Sequence, residues 1–236
     1  MHISPALVVI VVIVGYLIYL FFPIYHSVQI SKKLIAAAIP YEQHPTHPNK
    51  TILIAGDSTA VGVGAIDNTD STAGRLGKQF PNADIINIAV SGARLQDAIV
   101  QLQSQQGKRY DLILLQVGAN DVTHLISRTT ATNEIQKTFE LATAISAKTI
   151  VLTAGDMGIS NLFHWPITIA LHNGSLMLRE VFMTTVTQFP TVSYIDLFKS
   201  KKDDPFQHKP EFYAPDNFHL TGAGYGIWYG EIQKHL

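Results

Sequence analysis

Five short runs of aliphatic and β-branched residues constrain this chain most: Thr51 to Ala55, Asp84 to Val90, Asp111 to Val117, Thr149 to Ala154 and Val192 to Leu197. Each is apolar on both faces rather than alternating. That is the pattern of strands buried on both sides, and such strands form parallel sheets covered by helices. Stretches of helical character lie between them at Ala73 to Phe80, Leu95 to Gln105, Asn133 to Ser146 and Ser175 to Thr187, and Thr221 to Leu236 reads as a closing helix. The alternation predicts a three-layer α/β/α sandwich with a central parallel sheet. The connection Asp156 to Asn173, with Leu162-Phe163-His164-Trp165-Pro166-Ile167 inside it, is long and apolar. It suits a lid over a pocket or, more simply, packing against the core.

The front of the chain imposes a second constraint. Ala6 to Phe22 reads ALVVIVVIVGYLIYLFF and carries no charge. Extended over residues 3–25, it reaches the roughly 20 residues that cross a hydrocarbon core about 30 Å thick, which predicts an N-terminal transmembrane helix and a single-pass anchor in residues 1–25. Tyr16, Tyr19 and Tyr25 stand toward its second half, where amphipathic rings favour the membrane interface. The alternative is a cleaved signal peptide with Ala36-Ala37-Ala38 as its small-residue site. The lack of Lys or Arg before the run, and the length of the run, favour the uncleaved anchor. Lys32 and Lys33 follow the span and, by the positive-inside rule, favour a cytoplasmic C-terminal part, although two lysines leave a periplasmic or extracellular placement open. Residues 26–49 read as a juxtamembrane helix to Ile39 followed by a Pro-rich tether, and residues 50–236 as the globular domain.

Composition narrows the function classes. Lys+Arg 17 against Asp+Glu 18 leaves a formal charge of −1, so no electrostatic surplus exists to hold nucleic acid. Cys 0 excludes disulfide frameworks, thiolate zinc sites and cysteine nucleophiles. Gly62-Val63-Gly64 with Asp67 lacks the third glycine of a dinucleotide fingerprint, and the chain has no Gly-Lys-Ser/Thr phosphate loop. His44 and His47 sit in a His-Pro stretch without a neighbouring thiolate or carboxylate, which suits a solvated linker better than a zinc site. His124, His164 and His172 read as surface or packed residues. No metal and no cofactor is expected, and oligomeric state is open.

Ligands of open parallel sheets bind beyond the carboxyl ends of the strands, so the residues just after each run matter most. These are Gly56-Asp57-Ser58 after the first, Ser91-Gly92-Ala93 after the second and Gly118-Ala119-Asn120-Asp121 after the third, with Asp216-Asn217-Phe218-His219 near the C-terminus. A serine on a tight turn between strand and helix presents its hydroxyl to the crevice, with a helix N-terminus behind it that favours developing negative charge. Ser58 is the candidate nucleophile. Serine needs a base, and a neutral imidazole serves near physiological pH, which makes His219 the candidate. Asp216, three residues earlier, can accept from the imidazole and hold its tautomer. Each residue also has a plainer reading: Ser58 as a helix cap, Gly92 as a turn glycine, Asn120 and Asp121 as Asx-turn residues, Asp57 as a residue ordering the turn and Asp216 as a cap of the last helix.

In this order and at these strand ends, the four blocks resemble the SGNH hydrolase family, the GDSL-type esterases and lipases, over Lys50 to Leu236. The resemblance implies a flavodoxin-like sheet and an oxyanion hole built from the backbone N–H of Ser58, the backbone N–H of Gly92 and the side-chain amide of Asn120. Thr221-Gly222-Ala223-Gly224-Tyr225 also resembles the block that opens the family's closing helix. The expected activity is hydrolysis of a carboxylic ester of a lipid or small acylated molecule through an acyl-enzyme. Deacetylation of a cell-envelope glycan, acyl transfer to an alcohol, and a non-catalytic tethered binding module on the same fold are the other readings.

Overall fold

The computed structural model describes residues 4–207 and 209–236. Its centre is a five-stranded sheet, β1 (Lys50–Gly56), β2 (Ala83–Asn87), β3 (Leu112–Gln116), β4 (Thr149–Leu152) and β5 (Val192–Ile195), in the order β2-β1-β3-β4-β5. All neighbouring pairs are parallel. Successive side chains of a strand face opposite ways, and both faces are buried here. Leu53, Ile113, Leu115 and Val151 pack with Phe139 and Phe182 on one side, and Ile52, Ile54, Leu114 and Leu152 pack with Leu76, Tyr225 and Ile232 on the other. Helices α4 (Leu95–Gln103), α6 (Arg128–Ile145) and α7 (Ile167–Val186) cover the first face, and α3 (Thr72–Gln79) and α8 (Gly222–Gln233) the second. The expected α/β/α sandwich is present.

Some element boundaries differ from the sequence expectation. β2 ends at Asn87, although the N–H groups of Ile88 and Val90 still donate to Ile54 and Gly56 of β1. α7 starts at Ile167, inside the stretch read as a connection. From Met157 to Leu178 there is no Asp, Glu, Lys or Arg, so no charged face marked the start of that helix.

The N-terminal apolar run belongs to one continuous helix, α1 (Pro5–Ala37), a candidate membrane span by length and composition. Ile3, at the front of the expected span, lies outside the described residues. The helix passes Pro23 without a break and shows no division near residue 25. Leu7 to Val14 are all exposed, whereas Leu20 and Ser27 are buried against the rest of the chain. Tyr16 and Tyr19 meet protein: the Tyr16 hydroxyl donates to the Trp165 carbonyl at 3.0 Å, and the Tyr19 ring stacks on His164 at 4.3 Å.

The stretch read as a tether is not free chain. β2 is an edge strand whose unpaired backbone groups invite pairing, and Gln43 forms an isolated antiparallel bridge with Ile85. The Gln43 amide also donates to the carbonyls of Phe80 and Ala83, and His44 pairs with Asp84 at 2.6 Å. The histidine of the supposed linker therefore has a carboxylate beside it after all, on the sheet edge.

Candidate active site

The strand order reverses between β1 and β3, and the crevice beyond their carboxyl ends is where this architecture receives ligands. β1 ends at Gly56, Asp57 is the N-cap, and Ser58 opens α2 (Ser58–Val61). This helix is a single turn, so the field of a long helix, expected behind the hydroxyl, is not there. Asp57 orders the turn by accepting from the Thr59 N–H at 2.8 Å and the Thr59 hydroxyl at 2.7 Å. It is nearly inaccessible, and burial pushes its carboxyl up to about 6 against the two Thr59 hydrogen bonds.

His219 arrives from the loop before α8. Its Nε2 lies 2.9 Å from Ser58 Oγ, and its Nδ1 lies 2.6 Å from Asp216 Oδ2. All three residues are buried, Asp216 completely. Close approach of the Ser58 and His219 loops depends on Gly64, at φ +95°, where a Cβ would stand 2.4 Å from the Leu220 carbonyl and 3.2 Å from the His219 Cβ. An L side chain there would meet both backbone strain and a steric block.

Asp216 is held by more donors than its histidine. Its Oδ1 accepts from the N–H groups of Phe218 and His219, both at 3.0 Å. Its Oδ2 also accepts from the Ser31 hydroxyl at 2.7 Å, and its main-chain carbonyl accepts from the Ser27 hydroxyl at 2.7 Å. Both serines belong to α1. Burial alone would push the Asp216 carboxyl up, but the hydrogen bonds from His219, Ser31 and Phe218 and the charge of the imidazole outweigh it and hold it near 2. Sequence reasoning missed Ser27 and Ser31. Their one trace is the i, i+4 spacing that puts both hydroxyls on the same helix face.

Asn120 lies in α5 (Ala119–Thr123), directly after β3. Its Nδ2 donates to the Ala93 carbonyl at 2.9 Å, which fixes the amide plane beside the Gly92 loop and leaves a second amide hydrogen for the crevice. Gly92 has φ +85°, and no protein atom lies within 4 Å of where its Cβ would be. Backbone conformation, rather than crowding by the protein, is what calls for glycine there. Asp121 does not close a local Asx turn. It reaches the N-terminus of α4 and accepts from the Leu95 N–H at 3.1 Å, tying α5 to the Gly92 loop. Burial pushes the Asp121 carboxyl up to about 7.

Ser58, Asn120 and His219 open on one cleft, whose further walls include Met157, Ile159, Leu197, Phe206 and Ile227. Gly92 and Asp216 do not line it; Asp216 lies behind His219. The arrangement can pass a proton from a hydroxyl to an imidazole while apolar walls receive an acyl chain or similar group. His172 pairs with Asp156 at 2.6 Å and His124 with the Asn120 carbonyl at 2.7 Å, so these histidines are engaged structurally. Among the described residues, no group of three or more His, Asp or Glu side chains is arranged to hold a metal ion.

A parallel α/β/α sandwich with a buried serine, imidazole and carboxylate in line at the carboxyl edge of its sheet defines a class of hydrolase-like proteins. The chain belongs to the GDSL-like lipase/acylhydrolase family, whose model matches residues 54–227. Solved structures share the fold. TesA superposes with a TM-score of 0.62 at 17% identity, over 78% of this chain and 97% of its own. The lipase/acylhydrolase from Enterococcus faecalis gives 0.56 at 19% identity over 79% and 94%. The psychrotrophic esterase EstA from Pseudoalteromonas sp., in a structure inhibited by monoethylphosphonate, gives 0.58 at 16% identity over 79% and 96%. No curated protein matches the chain significantly. Family membership, with esterases and lipases among the structural neighbours, supports ester hydrolysis as the general chemistry.

Proposed function

We propose that this chain is a membrane-anchored serine hydrolase that cleaves carboxylic esters through an acyl-enzyme, with Ser58, His219 and Asp216 as its triad. The observation that carries the reading is the 2.9 Å contact between Ser58 Oγ and His219 Nε2, from residues 161 positions apart, backed by the 2.6 Å contact of His219 with Asp216. Ser58 Oγ attacks the ester carbonyl as its proton passes to His219 Nε2, and Asp216 stabilises the imidazolium. The N–H groups of Ser58 and Gly92 and the Asn120 amide receive the oxyanion; removal of one such donor costs about 2.7–4 kcal/mol in well-studied hydrolases. As the tetrahedral intermediate collapses, His219 returns the proton to the leaving alcohol. Water, deprotonated by the same imidazole, then attacks the acyl-enzyme and releases the acid with Ser58 restored.

The apolar cleft walls favour an acyl chain of some length over an acetyl group. The apolar length of α1 supports residence in a membrane, and Lys32 and Lys33 favour the cytoplasmic side. Ser58→Ala is the decisive variant. It should retain the wild-type circular dichroism spectrum and lose both turnover of p-nitrophenyl esters and labelling by an alkyl fluorophosphonate. Undiminished turnover in that variant refutes the nucleophile. A strict preference for acetyl over butyryl and longer esters refutes the lipid-like substrate, and protease accessibility in sealed vesicles reads the side.

A further inference from the structure

The apolar run of α1 and its contacts with the sandwich overlap. A hydrocarbon core needs about 20 helical residues, yet the first hydrogen bond from α1 to the sandwich, among the described residues, is already at Tyr16. Pro5–Gly15 is 11 residues, about 16 Å at 1.5 Å per residue, which is half a bilayer. If the run 6–22 fills the hydrocarbon, Tyr16 lies about 9 Å inside the boundary near Phe22, and so does the protein that touches it.

The surface at that depth has matching chemistry. Tyr16 and Tyr19 contact Trp165 and His164, in the stretch from Met157 to Leu178 that carries no Asp, Glu, Lys or Arg. Trp165 is 67% exposed and Ile169 50%, with Pro166 and Ala170 also exposed between and beside them. Exposed tryptophan on an uncharged edge is the composition of a membrane interface rather than of a solvated loop.

We propose that the edge formed by residues 163–170 is a second membrane-contact surface, seated in the lipid beside α1. This inference rests on the reading of α1 as a span. Phe163 meets Phe218 edge-on at 6.4 Å, Phe218 meets His219 at 5.3 Å, and Met157 and Ile159 line the cleft. The seated edge therefore continues into one wall of the cleft and brings its mouth to the lipid surface.

The chain contains no cysteine, so single thiols report position cleanly. The full chain is placed in nanodiscs of phosphatidylethanolamine and phosphatidylglycerol with an environment-sensitive fluorophore on Val12→Cys, Ile169→Cys or Lys137→Cys. Expected is loss of fluorescence from positions 12 and 169 with doxyl-labelled lipids and from 137 with aqueous iodide. A label at 169 that responds like 137 while 12 remains lipid-quenched overturns this proposal and leaves the anchor standing. Failure of lipid quenching at 12 overturns both. A label at 169 shielded from iodide and untouched by doxyl lipids means a protein partner covers the edge, which also overturns it. Each preparation must hydrolyse a soluble short-chain ester to count as folded. Should Ile169→Cys fail that criterion, the emission of Trp165 in a Trp228→Phe chain gives the same reading: blue-shifted and lipid-quenched if the edge is seated, red-shifted and iodide-quenched if it is not.

Discussion

Asp216 gathers four hydrogen bonds on two buried carboxylate oxygens, and three of the donors come from its own turn. The fourth, Ser31, comes from α1, and in the proposed triad it would act through Asp216 and His219, as a positioning residue. A hydrogen bond to a charged group contributes about 1.5–3 kcal/mol. If half of that is expressed in the transition state, Ser31→Ala should lower kcat about three- to twelvefold with little change in KM. Ser31→Thr should restore it, and steady-state kinetics of the pair decide the matter: an unchanged kcat in Ser31→Ala removes the role. Asp121 gives a second residue-scale prediction. Its carboxyl is held near 7 instead of 3.8, mainly by burial, with Glu134 and Asp57 raising it further and the Leu95 N–H and Arg94 opposing. The folded state therefore retains a proton that the unfolded chain releases, and stability present in acid is lost as pH rises through 7, by on the order of 4 kcal/mol. Asp57 adds a loss of the same sign up to about 6, whereas Asp216, held near 2, loses its contribution only in strong acid. Asp121→Asn cannot ionise but can still accept from Leu95, so its melting temperature should fall less steeply between pH 4 and 7 than that of the wild type. That Ser58, His219 and Asp216 meet was legible from residue type, with Ser58 just past β1 and the Asp-x-x-His spacing before the last helix, and the structure brings the three within hydrogen-bonding distance. Ser31 was not legible, because its partner lies 185 positions away and no local pattern encodes that meeting.

At the scale of elements, strands were easier to read than helices. A strand buried on both faces declares itself as an apolar run, whereas α7 is uncharged through its first turns and begins eight residues before its polar period becomes visible. The segment 40–49 was misread for the opposite reason. Prolines and polar residues describe a linker equally well when it floats and when it is pinned to a sheet edge. Gln43 does the pinning, with backbone bonds to Ile85 and a side-chain amide shared among carbonyls around the start of β2. Gln43→Ala should remove the side-chain bonds and cost about 1–2 kcal/mol. Urea unfolding should show a lower midpoint with an unchanged slope. A wild-type midpoint would mean that water replaces the amide without loss.

For the whole molecule, the sandwich follows from patterning and its flavodoxin-like sheet from the family resemblance, but the seating of α1 against the sandwich follows from neither. A uniformly apolar helix has no preferred face in sequence, and only the folded chain shows that Leu20, Ser27 and Ser31 turn inward. Insertion of a protease site between Ala36 and Ala38 tests this arrangement. Cutting the folded protein there and washing away α1 should leave the sheet intact by circular dichroism and reduce turnover at least as far as Ser31→Ala does. Full turnover after the wash would make α1 a tether only. Because Ser27 and Ser31 both lie on the α1 side of such a cut, shedding the sandwich would strip both hydroxyls from Asp216 in one event. On the proposed reading of α1 as an anchor, a protein wired in this way would confine its hydrolytic power to one boundary, with no inhibitor required.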